Sequence, residues 1–221
     1  LTDNNAIVIS GKFKYGENVF FSSKSTYKKN LEKANPYLRV LNIETVFPNK
    51  FVINAVERQE TYVFKLDNNK YAKTDEHLKI LEITNVYQNN TENGIEILNS
   101  EFTTQTNVEV GDFFVKTDTF LTEMFICFRE WNTSYVELKS KIQSVELNYN
   151  NHQDRLLVNM RSGVQIIVRN AKSGLSDKLN LAFSFYDQTT DQNGQPVDYT
   201  KSGIIEVFES ETDIFASYRQ V

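Results

Sequence analysis

Three different patterns of apolar and polar residues follow one another in the first 60 residues. An apolar run at 6–10 is of strand type, and apolar residues at 27, 31 and 34 then follow the spacing of one helix face. Asn35-Pro36 ends this helix, because proline cannot donate the backbone hydrogen bond that a helix requires. Residues 41–45 and 51–56 alternate with the period of a strand on either side of a Pro48-Asn49 turn. The pattern predicts a helical layer on one face of a three-stranded sheet.

The rest of the chain predicts a larger α+β domain of mostly antiparallel strands. Amphipathic helices are predicted at 110–131 and 175–186 from apolar residues at helical spacing. Strands are predicted at 62–66, 71–73, 78–83 and 142–149, in a hairpin at 156–168, and in a last pair at 204–208 and 214–218. The segment 83–110 fits no predicted element beyond a polar loop at 88–93. We place the domain boundary at the change of pattern near residue 66, which gives domains of 1–66 and 67–221.

Composition excludes several classes of protein. The net charge of -5 argues against a nucleic-acid-binding protein, because such affinity comes mainly from clustered lysine and arginine. The longest apolar run, 124–128, is far shorter than the roughly 20 residues of a membrane-spanning helix. Cys127 is the only cysteine, so an internal disulfide is excluded. The chain begins at Leu1 without a signal-peptide pattern, and we expect it to be a fragment or a mature form.

Residue types that carry catalysis are not gathered at any known spacing. His77 and His152 lie in polar turns outside a metal-ligand motif, and the eight glycines form no phosphate-binding loop. Cys127 lies in an apolar stretch, where a buried, inert thiol is expected. Glu57 and Arg58 are neighbours on a strand and point to opposite faces, so we expect two separate surface or domain-boundary contacts. The sequence therefore predicts no catalytic residue, metal, cofactor, small-molecule substrate or nucleic-acid partner, and a protein that is not an enzyme.

Several short motifs occur in an order that resembles the FtsQ/DivIB family of bacterial cell-division proteins. NPY at 35–37, FPN at 47–49 and VER at 56–58 resemble the signature of that family's POTRA domain. The first strand, the hairpin at 156–168, Lys178-Leu179 in the last helix and the strand at 205–207 are similar to the family's further motifs. Leu78 departs from the pattern, since it stands where the family usually has glycine.

The resemblance implies a non-catalytic scaffold on the extracytoplasmic face of the bacterial membrane, at the division septum. A single membrane helix upstream of Leu1 would anchor it, and small coiled-coil division proteins of the DivIC/FtsB and FtsL type would bind its last strands. An edge strand exposes unpaired backbone groups that a partner strand can extend. We expect proline at Phe215 to abolish this pairing while leaving the fold largely intact. The candidate contact residues are Ile204, Glu206, Phe208, Ile214, Phe215, Ala216 and Tyr218.

Three alternatives remain open at this point. The last strand could simply pair within its own sheet. The chain could belong to another POTRA-bearing secretion or assembly system, which would predict tandem domains or a barrel of alternating strands. It could also be an unrelated extracellular enzyme, which would need a concave pocket with convergent, perturbed ionisable groups.

Overall fold

The computed structural model describes eleven stretches of the chain, which form an α+β fold, as predicted. The stretches are 11–12, 23–47, 50–66, 69–88, 94–98, 107–114, 119–131, 135–148, 154–191, 193–211 and 213–220. The helices are α1 (Lys24–Ala34), α2 (Thr119–Trp131), α3 (Tyr135–Lys141) and α4 (Leu175–Tyr186). The strands are β1 (Leu38–Val46), β2 (Lys50–Glu57), β3 (Tyr62–Lys65), β4 (Tyr71–Thr74), β5 (Ile80–Thr84), β6 (Ile95–Leu98), β7 (Ile142–Asn148), β8 (Arg155–Met160), β9 (Val164–Arg169), β10 (Gly203–Glu209) and β11 (Ile214–Gln220).

The first module consists of α1 packed on the β1–β2 hairpin. Ser23 caps α1, since its hydroxyl accepts a hydrogen bond from the Thr26 amide at 3.3 Å. The buried face of the helix contributes Tyr27 and Leu31 to a small core with the strands. Antiparallel pairing of β1 with β2 supports that core. The predicted first strand at 6–10 and the Pro48-Asn49 turn lie outside the described residues.

The second sheet has nine strands in the order β11-β10-β9-β8-β7-β6-β3-β4-β5. Most neighbours are antiparallel, while β3–β6, β6–β7 and β9–β10 are parallel. Every second residue of β8 and β9 is buried, which is the pattern of a sheet with one face covered. Helices α2 and α4 supply the cover through large side chains such as Phe125, Phe128 and Phe183. Burying each such side chain contributes about 1.5–3 kcal/mol, so this layer holds the strands in place.

Strand β3 belongs to the nine-stranded sheet, although it precedes the predicted boundary at residue 66. It pairs with β4 on one side and β6 on the other. The chain therefore changes sheet between the end of β2 at Glu57 and the start of β3 at Tyr62. The domain limits of 1–66 and 67–221 remain a prediction, and a division between residues 58 and 62 fits the strand pairing better.

Within the predicted helix at 110–131, the structure describes a helix at Thr119–Trp131. Within its predicted first part, Gly111 has a positive φ of 93°, and its amide donates to the Ile80 carbonyl at 2.8 Å. The Ile80 amide donates in turn to the Asp112 carbonyl at 2.8 Å. The helical prediction is thus wrong for the described residues 110–114, because bonding to β5 overrides the apolar spacing. The sequence pattern also missed β6 and α3.

The β4–β5 turn explains the departure at Leu78. Asp75 organises this turn, since its Oδ1 accepts hydrogen bonds from the amides of His77 and Lys79 at 2.9 and 2.8 Å. Leu78 has a positive φ of 65°, a conformation that glycine adopts more easily. Its side chain is fully buried in the core, however. Leucine therefore gains apolar burial that glycine lacks, which offsets the backbone strain.

Candidate functional site at the open edge of the large sheet

The two edges of the nine-stranded sheet differ in how they are covered. At β5, residues 109–114, which we name the covering segment, bond to the chain on either side of Ile80. The Phe114 amide donates to the Leu78 carbonyl at 3.1 Å, beside the two bonds of Ile80. At the other edge, β11 pairs with β10 and with no further strand of the described chain. Strand β11 is therefore the edge on which unpaired backbone groups are presented.

The register of the β10–β11 hairpin determines which amides face outward. The Ser210 amide donates to the Asp213 carbonyl at 2.9 Å, directly across the hairpin in the same register as the strands. Antiparallel ladders alternate between hydrogen-bonded and non-hydrogen-bonded pairs. Counting from Ser210, the pair Phe208–Phe215 is hydrogen-bonded and the pair Val207–Ala216 is not. The amides of Ile214, Ala216 and Tyr218 consequently point away from the sheet.

This register corrects the expectation for proline at Phe215. The amide of Phe215 faces β10, so proline there would break the internal ladder and weaken the fold. A proline that blocks only the outer edge belongs at Ala216. Sequence alternation alone could not distinguish the two positions, because it assigns side chains to faces without assigning the hydrogen-bonded pairs.

The candidate residues divide between the two faces of the sheet. The side chains of Ile214, Ala216 and Tyr218 pack against the main core, on the helix side. Tyr218 crosses Gly203, where an added Cβ would lie only 2.6 Å from the ring. The ring also contacts Tyr199, with centroids 4.8 Å apart. These three residues thus anchor β11 by their side chains and present their backbone outward.

Ile204, Glu206, Phe208 and Phe215 lie on the opposite, open face. Phe208 and Phe215 are cross-strand partners that stack at a centroid distance of 5.8 Å, and they are 38% and 45% exposed. An exposed aromatic pair at a sheet edge is an unusual feature for a surface that contacts only water. Aromatic side chains are also enriched at the centres of protein interfaces.

Two arginines that the sequence pattern does not single out extend this face inward from the edge. Arg155 of β8 and Arg169 of β9 are direct cross-strand partners, although like charges in such pairs are unfavourable. Arg169 forms an ion pair with Glu206 of β10, which lies on the same face as Phe208. We name Arg155, Arg169, Glu206, Phe208 and Phe215 the edge patch. No sequence motif marks the two arginines, because only the strand register places them on the same face as the aromatic pair.

A buried lysine fixes the end of β10 beside the edge patch. Lys178 of α4 is fully buried, and its Nζ donates to the Asn170 carbonyl and to Glu209 Oε2, each at 2.9 Å. The hydrogen bond from Lys178 lowers the pKa of Glu209. A lowered carboxyl pKa means that this contact supports the fold at neutral pH and is lost as the pH falls through the pKa of the folded state.

Within the described stretches, the residue types that could carry catalysis are not brought together. Cys127 is buried, and desolvation raises the pKa of its thiol. His77 lies 3.2 Å from Glu76, and desolvation lowers its pKa. His152 lies outside the described residues. The described stretches hold no group of three or more potential metal ligands of the His, Cys, Asp or Glu type, and no helix among them is long and apolar enough to cross a membrane.

Comparison with protein families decides the nature of the first module. Residues 1–58 match the family model described as POTRA domain, FtsQ-type. The first module is thus similar to the FtsQ-type POTRA domain, which supports a relationship of the chain to the FtsQ/DivIB family. The match confirms the resemblance drawn from the motifs at 35–58 and agrees with the α+β fold. No curated protein matches the chain. An FtsQ-type domain points to a division-related role exerted through protein–protein interactions.

Proposed function

We propose that this FtsQ/DivIB-type chain is a non-catalytic extracytoplasmic scaffold that binds small coiled-coil division proteins by strand addition at β11. The open β11 edge, next to an exposed aromatic pair, is the observation that carries the proposal. The expected partners are of the DivIC/FtsB and FtsL type. A single membrane helix upstream of Leu1 would hold the chain at the division septum.

The backbone supplies the general part of the affinity. A partner strand laid along β11 would bond to the outward amides and carbonyls of Ile214, Ala216 and Tyr218. Each such hydrogen bond contributes about 0.5–1.5 kcal/mol net, so a few of them give a modest affinity without selecting a sequence. The side chains of these residues need no rearrangement, because they already pack into the core.

The edge patch supplies the part of the affinity that depends on the partner's sequence. A partner side chain on the open face would meet the Phe208–Phe215 pair, where an apolar residue gains burial. Beyond the aromatic pair lie Arg169 and Arg155, a cross-strand pair of cations, and Arg169 forms an ion pair with Glu206. An acidic residue of the partner would reach these arginines from a part that crosses the open face, because β9 and β8 lie two and three strands inward from β11. There it would relieve the repulsion between the two arginines. We therefore expect a partner whose added strand carries an apolar residue facing the aromatic pair and whose adjoining segment carries an acidic residue over the open face.

Replacing Phe208 with alanine tests the patch. We expect this change to weaken binding of a DivIC/FtsB-type extracytoplasmic segment by about 1–2 kcal/mol, roughly 10-fold in Kd, because half of the aromatic pair is removed. Isothermal titration with the purified segment measures the effect. Phe113→Ala is the matched control, since Phe113 is 51% exposed but lies at the covered edge. Equal binding by both variants would contradict the proposed site, as would a chain that uses β11 to pair with a second copy of itself.

A further inference from the structure

One guanidinium group joins the first module to the nine-stranded sheet. Arg58 is 7% exposed, and its Nη1 donates to Oδ2 of Asp75, a fully buried residue of the β4–β5 turn. Its Nη2 lies 3.4 Å from Glu32 Oε2 of α1, and its Nε donates to the Leu38 carbonyl at 3.3 Å. Arg58 therefore contacts the helix and the hairpin of the first module and a turn of the second sheet at the same time.

Further charges from the same turn continue this contact. Lys79 Nζ lies 3.8 Å from Glu32 Oε2 and 5.1 Å from the ring centroid of Phe113 in the covering segment. Arg39 of β1 lies 3.3 Å from Oε1 of Glu76, whose side chain is 8% exposed. Each of these charged residues of the β4–β5 turn thus faces a residue of opposite charge in the first module. We name this set of ion pairs the junction.

Burial makes the junction hard to open. A buried charge that loses its partner is strongly destabilising, whereas an exposed ion pair can separate at little cost. Any hinge motion that separated the modules would break the Arg58–Asp75 pair. Glu32 and Asp75 are further constrained, because Glu32 Oε1 accepts from the Val40 amide and Asp75 Oδ1 holds its own turn. Backbone hydrogen bonds that do not involve Arg58 therefore also hold these two carboxylates in place.

We infer that the junction locks the two modules into one rigid unit, with Arg58 as the residue that holds the lock. Strand β11 is then presented at a fixed position relative to the POTRA module. The role of this rigid unit in the cell rests on the proposed scaffold function. A rigid unit would hold a partner on β11 and a partner on the first module in a constant arrangement.

Distance measurement between spin labels tests the lock in the full chain without any partner. Labels at Lys50→Cys in β2 and Gln195→Cys in the loop after α4 report on the two modules, with Cys127→Ala in every sample. Both labelled positions are exposed. We expect one narrow distance distribution for the otherwise unaltered chain and a broader or shifted one for Arg58→Met. Lys172→Met, which removes an exposed ion pair with Asp154 outside the junction, should leave the distribution unchanged.

A second variant, which keeps the side-chain hydrogen-bond acceptors, covers the case in which Arg58→Met fails to fold. Glu32→Gln with Asp75→Asn removes both negative charges but keeps the side-chain oxygens that accept the amides of Val40, His77 and Lys79. Circular dichroism checks that the variant is folded, and its distribution should broaden as well. A broad distribution in the unaltered chain, or a narrow one in every folded variant, would overturn the inference. Because no partner is present, either result is independent of whether β11 binds one.

Discussion

Replacing Ala216 with proline is expected to reduce partner binding by about 10- to 100-fold. Proline removes the outward amide at the centre of β11, and its ring obstructs the approach of a second strand. The carbonyl of the partner that would accept from this amide is left unsatisfied, which costs about 1–3 kcal/mol. Titration with a DivIC/FtsB-type segment measures the change, and hydrogen exchange in the free chain checks that β10 and β11 still pair.

Two further variants show whether the effect comes from the edge. Ala216→Ser keeps the amide hydrogen and a small side chain, so it should bind like the unaltered chain. Phe215→Pro removes an amide that faces β10, and it should lower the free energy of unfolding more than Ala216→Pro does. If Ala216→Pro binds normally while remaining folded, strand addition at β11 is wrong.

Replacing Arg58 with methionine is expected to lower the free energy of unfolding by about 3–5 kcal/mol, the usual effect of breaking a buried ion pair. Methionine preserves much of the apolar length but leaves the buried carboxylate of Asp75 without its cation. Urea unfolding followed by circular dichroism measures the loss. For a domain of ordinary stability, such a change removes a large fraction of the total.

Arg169→Met is the matched control for this stability measurement. Arg169 also pairs with a carboxylate, Glu206, but about half of its side chain is exposed. Exposed ion pairs contribute about 0–1 kcal/mol, so the control should be nearly as stable as the unaltered chain. A similar decrease in the free energy of unfolding in both variants would show that burial does not make the Arg58–Asp75 ion pair more important than an exposed one.

The local sequence pattern predicts those helices and strands that bury one face, because a single buried face sets the spacing of their apolar residues. Helix α4 and the β8–β9 hairpin were predicted because each has one clearly buried face. The residues of α1 were found from the apolar positions of a single face and from Asn35-Pro36. The expectation of a domain-boundary contact agrees with the structure for Arg58, which is buried against Asp75, while Glu57 is exposed.

The parts that could not be predicted depend on contacts between distant segments. Residues 110–114 carry helical spacing, yet they bond to β5 around Ile80, some 30 residues earlier in the chain. Arg155 and Arg169 could not be predicted for the same reason. They lie on the same face as Phe208 only because three strands, β8, β9 and β10, pair in this register. The outward direction of the Ala216 amide follows from a hydrogen bond in the turn at Ser210. None of these relations has a signature in the local sequence.

The two edges of the sheet differ in coverage, and this difference would favour binding of a partner strand at β11. Open sheet edges are prone to unwanted pairing, and proteins commonly cover them with other segments. Here residues 109–114 cover the start of β5, while no strand of the described chain pairs with the outer side of β11, which lies next to aromatic and cationic side chains. Coverage of one edge would leave the other as the place for a partner strand.

Residue-resolved hydrogen exchange on β11, with and without a DivIC/FtsB-type segment, tests the central claim most directly. Strand addition predicts that the outward amides of Ile214, Ala216 and Tyr218 exchange fast in the free chain and slow down when the partner binds. The amides of Phe215 and Ser217, which already bond to β10, should be protected in both states. Binding that leaves the three outward amides unprotected, or that protects residues elsewhere instead, would contradict the account.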